Sequence, residues 1–335
     1  MQSVWPQGLR RHEDLWQKGQ SMRTLGYTMG TGITRTVKFQ EKHLACYAVN
    51  VGAKCGHGCL YCSTGAILRM HKCFRELGEN PFGFGYAIVD PQAPDRVAVD
   101  AARLKERGQV QLCTLVDAWA PEAQNHDIGR RCLMAILSQP GWNVRILTKN
   151  AAVRRDFDLI AQYRDRVLVG LSITATPDRQ DRTAITEPNA SSITERVAAL
   201  REAHDRGLRT YGMLCPLLPG LADSPEQVDA LVETVASCGV EEIFVEPVNP
   251  RGPGLRLCQE ALAAKGYQLD ADAVGRIRQK RAWSSYVADL VTNVQRSVRK
   301  HMDAARLRFL LYPSQLRAED AERIRRDDAG VIWLS

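Results

Sequence analysis

Along the chain, short apolar, β-branched runs alternate with longer stretches whose apolar positions recur every third or fourth residue. Six runs read as buried strands: LACYAVNV (44–51), VQLCTL (110–115), VRILT (144–148), VLVGLSIT (167–174), RTYGML (209–214) and EIFVEP (242–247). Helical periodicity falls between them, over 95–107, 126–139, 154–166, 190–207 and 224–239. The last two carry start and stop signals. Ser192 with Glu195, and Ser224 with Pro225, place a capping residue and a first-turn proline where a helix begins, and Gly207 and Gly239 stand where one would stop. Repeated strand–helix units imply parallel pairing with right-handed crossovers, and six of them make a partial (β/α)6 barrel in which functional groups gather at the C-terminal ends of the strands.

The pattern divides the chain into three. Residues 1–43 are polar with scattered Gly and Arg and read as a leader or cap with little regular structure; 44–250 hold the barrel; 251–335 form a helical C-terminal extension. In that extension a long helical region, roughly 270–308, keeps Val287, Leu290, Val291, Val294 and Val298 on one face. Arg276, Arg278, Lys280, Arg281, Arg296, Arg299, Lys300, Arg306 and Arg308 are opposed there only by Asp289 and Asp303. Trp283 and Tyr286 lie among these cations, a mixture that suits either a nucleic-acid face or the polar side of a helix packed on the barrel. The balance of 45 Lys+Arg against 38 Asp+Glu, a net charge of +7, is compatible with a nucleic-acid partner without requiring one. No apolar run reaches the roughly 18 residues of a membrane span, and residues 1–19 lack a signal-sequence core, so a cytoplasmic location is expected.

Ten cysteines change the picture, because three of them crowd into CGHGCLYC. Cys55, Cys59 and Cys62 are spaced C-x3-C-x2-C just after a strand, where clustered thiols in a reducing compartment bind metal or do chemistry. Three thiolates can hold an iron–sulfur cube by three of its irons and leave the fourth for a substrate or cofactor. The alternative is a zinc site completed by Cys46, His57 or Cys73, although zinc ribbons usually pair two C-x2-C units and only one is present. Of the remaining cysteines, Cys113 and Cys215 fall at predicted strand ends; the others read as core. Glu246 ends the sixth strand with no assigned role, and His43, His57 and His71 flank the cysteine loop as expected hydrogen-bonding neighbours.

C-x3-C-x2-C with an aromatic residue before the third cysteine resembles the signature of radical S-adenosylmethionine (SAM) enzymes. TKNAAVRRDFDLI (148–160), GLSITA (170–175), TEPNASSITERVAAL (186–200) and CPLLPGLADS (215–224) resemble the spore photoproduct lyase family and its photolyase-like relatives, in order, over roughly residues 44–250. The resemblance implies a radical SAM partial barrel with one [4Fe–4S] cluster on Cys55, Cys59 and Cys62 and with S-adenosylmethionine on its open iron. It also implies cofactor contacts from Lys149 after the third strand, Ser172 at the end of the fourth, Arg196 on the following helix, and Tyr61 near the adenine. Cys113 matches a cysteine that returns hydrogen to the product radical in the lyases, and a reductase such as flavodoxin or ferredoxin would supply the electron. Two departures stand out: Ser63 replaces a tyrosine that follows the third cluster cysteine in the lyases, and Asp117-Ala118-Trp119-Ala120-Pro121 is closer to the broader relatives.

The expectation is therefore a radical SAM enzyme acting on a nucleic-acid base lesion or modified base. A radical SAM enzyme that modifies a peptide or small metabolite is the alternative, and a non-enzymatic, zinc-stapled nucleic-acid-binding protein is a further one.

Overall fold

The structure, a computed structural model, describes residues 22–335; residues 1–21 of the expected leader lie outside the described residues. Twelve strands form in chain order: β1 (Arg23–Gly26), β2 (Thr34–Arg35), β3 (Tyr47–Val49), β4 (Gly52–Lys54), β5 (Tyr86–Val89), β6 (Gln109–Leu112), β7 (Asn143–Thr148), β8 (Val167–Ser172), β9 (Arg209–Leu217), β10 (Glu242–Pro247), β11 (Leu307–Leu311) and β12 (Val331–Trp333). Nine of them make one sheet in the order β2-β3-β6-β7-β8-β9-β10-β11-β12, in which every neighbouring pair from β3 to β12 is parallel. β2 runs antiparallel to β3 at the edge. The remaining three form a small second sheet in the order β1-β5-β4.

Side chains alternate across the large sheet, as the pleat requires. Leu168, Tyr211, Met213, Phe244 and Leu310 make a compact cluster on one face. Ile146, Val169, Leu171, Leu214, Ile243, Val245, Phe309 and Leu311 join the larger core beneath the helices. Both faces are covered, which is why β8 is buried at every position and reads as a continuous apolar run. The sheet curls until its edges approach. The short helix Val37–Glu41 lies between them: Lys38 Nζ donates to Ser335 O at 3.1 Å and Ser335 Oγ donates to Glu41 Oε1 at 2.8 Å. Phe39 and Leu44 from this segment pack on the inner cluster and cover the open side of the partial barrel.

The expected strand–helix alternation is present; Ser192 and Glu195 form a capping box, and Ser224 caps the next helix with Pro225 in its first turn, where Gln227 adds a second capping box. Gly207 and Gly239 take positive φ beyond their helices. Three features add to the expected organisation. Residues 22–43 supply two strands and a helix rather than an irregular cap. Tyr86–Val89 is a strand whose partners, β1 and β4, are distant in sequence or short. The C-terminal extension is helical over Gly254–Ala264, Gln268–Arg276 and Lys280–His301 but then contributes β11 and β12, so the helix stops before Arg306 and Arg308. RFLLY is too short an apolar run to announce itself beside a helix of 22 residues; pairing with β10 makes it a strand.

Candidate active site

The cysteine loop leaves β4 and is held from the opposite side by the TEPN segment that follows the helix Gln180–Thr186. Leu60 N donates to Thr186 O at 2.9 Å, Asn189 N to His57 O at 3.1 Å and Asn189 Nδ2 to Gly56 O at 2.8 Å. The loop turns so tightly that Gly58 sits at φ +65, and a Cβ on Gly56 would lie 2.5 Å from the Glu122 carboxylate. Gly56 N donates to Glu122 Oε1 at 2.8 Å. Burial, with no cation among the causes, pushes the Glu122 carboxyl up to about 7.

Cys55, Cys59 and Cys62 line one pocket whose walls include Leu115, Phe82, Phe84 and Leu257. Cys62 is the exposed member of the three. Burial, reinforced by neighbouring anionic groups, pushes the Cys55 thiol well above the usual thiol range and Cys59 up to about 12. A free thiol gains nothing from such a setting, whereas a cation that binds the thiolate would compensate for it.

Beside this pocket the ends of β7 and β8 meet the start of the helix Ile193–Asp205, and three of the expected residues, Tyr61, Lys149 and Arg196, converge there on Glu187, a carboxylate at 2% exposure, while the fourth, Ser172, is reached through Lys149. Arg196 Nη2 and Tyr61 Oη donate to Glu187 Oε2 and Oε1. Lys149 Nζ reaches Glu187 Oε1 at 3.1 Å and Thr174 Oγ1 donates to it at 2.8 Å. Lys149 also donates to Ser172 Oγ (2.7 Å) and to Cys215 O (3.1 Å), while its ammonium stands 5.5 Å from the centre of the Tyr61 ring. Arg196 spends its other nitrogens on Ser191 O and Ser172 O, both at 2.8 Å. Burial opposes ionisation of Glu187, but Arg196 and Lys149 outweigh it and hold the carboxyl far below its ordinary 4.5. Burial, then Cys59 and Glu187, raise the Tyr61 hydroxyl well above its ordinary value, so it stays a donor.

Asp117 positions the lysine. Its carboxylate accepts from Thr148 Oγ1, Lys149 N and Trp119 N, all at 2.9 Å, and lies 3.5 Å from His57 Nδ1. Burial lowers the His57 pKa and keeps the ring neutral, and its Nε2 has no partner. Sequence reasoning quoted Asp117 and Glu187 inside longer motifs without assigning either a task. The available signal was an acidic residue beside an otherwise apolar or capping segment, and it is weak until the cations are known to face it.

Cys113 follows β6 at φ +67, with its N–H on Val49 O at 2.9 Å, and is buried in the main core. Burial first, then Cys132 and Asp117, raise its thiol well above the usual range. Cys215 and Glu246 do come together at the ends of β9 and β10, Sγ to Oε2 at 3.5 Å, and Lys42 pairs with the same carboxylate. The basic extension differs from one expectation: Trp283 and Tyr286 are not stacking surfaces. Trp283 is buried with Nε1 donating to Val248 O at 2.9 Å, and Tyr286 Oη donates to Leu217 O at 2.8 Å, so both anchor their helix to the ends of β10 and β9. Their spacing places them on the same inward stripe as Val287, Leu290 and Val291.

The residues present fit an iron–sulfur cluster better than a single ion. Among the described residues no three His, Cys, Asp or Glu side chains converge tightly enough to hold one metal ion. The three thiols instead border a common apolar-walled pocket, with orphaned buried atoms, His57 Nε2 and Glu122 Oε2, in the residues that shape the loop. Cys73, offered above as a zinc ligand, is buried in a separate small cluster 3.0 Å from His71 Nδ1.

Comparison with known proteins agrees with this geometry. The profile of the radical SAM superfamily matches residues 49–245. An uncharacterised protein of Acidianus two-tailed virus is 25% identical over 228 residues, covering 65% of this chain and 72% of the relative. An uncharacterised protein of Mycobacterium tuberculosis is 28% identical over 217 residues, covering 62% of this chain, and the chain spans 59% of that relative's length. Among solved structures, a cysteine-to-serine variant of spore photoproduct lyase superposes with a TM-score of 0.50 at 16% identity, over 72% of this chain and 66% of that one, a likeness of fold. With a family profile spanning the sheet from β3 to β10 and the thiol pocket beside the strand ends, this chain belongs to the radical SAM superfamily, whose cofactors are a [4Fe–4S] cluster and S-adenosylmethionine.

Proposed function

We propose that Cys55, Cys59 and Cys62 hold the cluster, that the network on Glu187 receives S-adenosylmethionine, and that the enzyme acts on a nucleic-acid base lesion or modified base. The observation that carries the reading is the convergence of Tyr61, Lys149 and Arg196, from three separate parts of the chain, on one buried carboxylate next to the thiol pocket, with Ser172 joined to it through Lys149. When bound, the cofactor pair supplies a 5′-deoxyadenosyl radical that removes hydrogen from a substrate.

The chain's own residues bind, orient and exclude water. Lys149 holds its ammonium on Glu187, Ser172 Oγ and Cys215 O, with its backbone locked by Asp117, and supplies the cation for a ligand carboxylate. Glu187 holds the lysine and Tyr61 in register, and the Tyr61 ring offers a face to a flat heterocycle. Leu115, Phe82, Phe84 and Leu257 wall the pocket against water. A hydrogen-atom donor has to keep its S–H bond at neutral pH, and the raised pKa of buried Cys113 supports that role.

The nucleic-acid reading rests on charge. The helix Lys280–His301 is anchored beside the C-terminal ends of β9 and β10, and Arg278, Lys280 and Arg281 are exposed where it begins. With the two aromatics turned inward, this surface would meet phosphates rather than stack bases. A target base in duplex DNA would have to leave the stack to reach the barrel.

The test is anaerobic reconstitution with iron and sulfide, followed by EPR after dithionite with and without S-adenosylmethionine. The expected result is a reduced-cluster signal that changes on adding the cofactor and is lost in Cys59→Ala. Release of 5′-deoxyadenosine would then be compared with damaged or modified oligonucleotides against peptide and metabolite pools. Stimulation by the second group alone would replace the nucleic-acid reading with the peptide or metabolite one. A colourless protein retaining stoichiometric zinc would remove the catalytic reading altogether.

A further inference from the structure

Immediately after Cys62, the segment 64–77 lines the thiol pocket with Thr64 and Gly65 and then packs Cys73 and Phe74 inward against the small sheet. What it leaves outside is unusual for a surface. Ile67 is 56% exposed and Met70 86%, two of the six large apolar side chains that stand out from the described surface. Arg69, Lys72 and Arg75 surround them, all exposed. Arg251 is exposed next to Gly252, where a Cβ would lie 3.5 Å from Ala66, so the loop after β10 adds a fourth cation to the same rim. The nearby acids are engaged elsewhere: Glu76 accepts from Tyr27 Oη at 2.7 Å and Glu79 pairs with Arg23 at 2.6 Å.

We propose that this apolar-centred, cation-rimmed face is the docking surface for a small acidic one-electron carrier protein, and that Arg69, Lys72 and Arg75 steer it to the edge of the pocket at Cys62. The inference rests on the assignment of the cluster to the three cysteines. An apolar core with a charged rim is the anatomy of a protein–protein contact, in which charge sets orientation and encounter rate and the apolar centre supplies the desolvated contact. A nucleic acid would be served by the cations but not by Ile67 and Met70. The position supplies the second argument. Of the three pocket thiols Cys62 is the exposed one, and the helix that carries Ile67 begins two residues beyond it, so a carrier seated here would lie close to the group inside. The step balances simply: the carrier loses one electron, the cluster gains one, and no atom or proton need change hands.

The experiment titrates purified acidic flavodoxin against the reconstituted protein, by anisotropy of a labelled flavodoxin, at low and high ionic strength. The variants are the triple charge reversal R69E/K72E/R75E and, separately, M70S, all at exposed positions. Binding of the wild-type protein is expected to weaken steeply with salt, the triple reversal to weaken it by at least about tenfold at low salt, and M70S to weaken it with little change in salt dependence. Reduction by dithionite, a small molecule that needs no docking surface, should give the same EPR signal in all variants. Failure of that signal in the wild-type protein would remove the cluster assignment. Flavodoxin binding unchanged within about twofold in the triple reversal would remove the docking surface. Binding of a duplex oligonucleotide that the triple reversal abolishes, while flavodoxin binding persists, would assign the patch to nucleic acid instead.

Discussion

Each end of the curled sheet buries an arginine against a carboxylate, yet the two pairs keep different company. At the C-terminal end, Arg196 and Glu187 have side chains 1% and 0% exposed and are joined by Lys149, Tyr61 and Thr174. At the N-terminal end, Arg145 donates to Glu242 at 2.6 Å and is otherwise sandwiched by the rings of Tyr211 and Phe244, at 4.5 and 4.9 Å. Its Nε and Nη1 have no hydrogen-bond partner, and Glu242 keeps partial contact with solvent. The lower pair closes the sheet interior with a cation against aromatic faces. The upper pair is the hub of a polar network that leaves an ammonium, a hydroxyl and a ring at the edge of a pocket. Burial of charge alone therefore does not mark a functional site. What sets the upper pair apart is the convergence of several chain segments on the buried charge, at the end of the strands where loops open.

Removing the upper hub should have the largest effect. Glu187→Ala leaves Arg196 and Lys149 facing each other without compensation, and is expected to cost about 3–5 kcal/mol in urea unfolding. A loss below about 1 kcal/mol would mean that the network relaxes to solvent and that the two ends are alike.

Glu122 sharpens the same contrast, as a buried carboxylate at the upper end with no cation beside it. Its carboxyl, raised from 4.5 to about 7, keeps its proton in the folded protein where the unfolded chain has lost it. Its contribution to stability is thus complete below about pH 4.5 and is lost as pH rises towards 7, to the extent of about 3 kcal/mol. Glu122→Gln retains an acceptor for Gly56 N, so its unfolding free energy relative to wild type should improve across that window. A flat difference from pH 4.5 to 7 would show that Glu122 is ionised and paired like Glu187.

Lys149→Met tests whether the upper network serves a ligand. S-Adenosylmethionine binding, measured by equilibrium dialysis, should weaken about ten- to a hundredfold, with unfolding free energy changed less than in Glu187→Ala. Unchanged binding would confine the lysine to a structural role.

The smallest effects belong to the lower end. Arg145→Met should cost about 1–2 kcal/mol, because Glu242 can turn to solvent, and adding Glu242→Leu should recover most of that loss. A loss as large as that of Glu187→Ala would erase the distinction drawn between the two ends.

Much of this organisation was legible in the chain itself. The alternation of apolar runs and helical periodicity identified the six strands β3, β6, β7, β8, β9 and β10 that build the first part of the parallel sheet, and the caps at Ser192 and Ser224 stand where their residues predict. Short strands that depend on distant partners were not legible: β5 is held between β1 and β4, and β11 and β12 extend a sheet begun far earlier. Trp283 and Tyr286 show the complementary error. Their neighbours in sequence are cations, but helical geometry turns them about 100° per residue from those cations into the core.

For the site, sequence alone determined the thiol triad, because its ligands are local: spacing within eight residues is enough to define what such a loop can hold. It also supplied Lys149, Ser172, Arg196 and Tyr61 as individual residues of suitable chemistry. Only the tertiary structure decided that Lys149, Arg196 and Tyr61 share one partner, that this partner is Glu187, that Ser172 joins them through Lys149, and that Asp117 holds the lysine from behind. The reason is physical. A covalent spacing is written in the chain, whereas the ionisation and orientation of a buried carboxylate depend on which cations the fold brings within a few ångströms of it, and those come from 9 and 38 residues away.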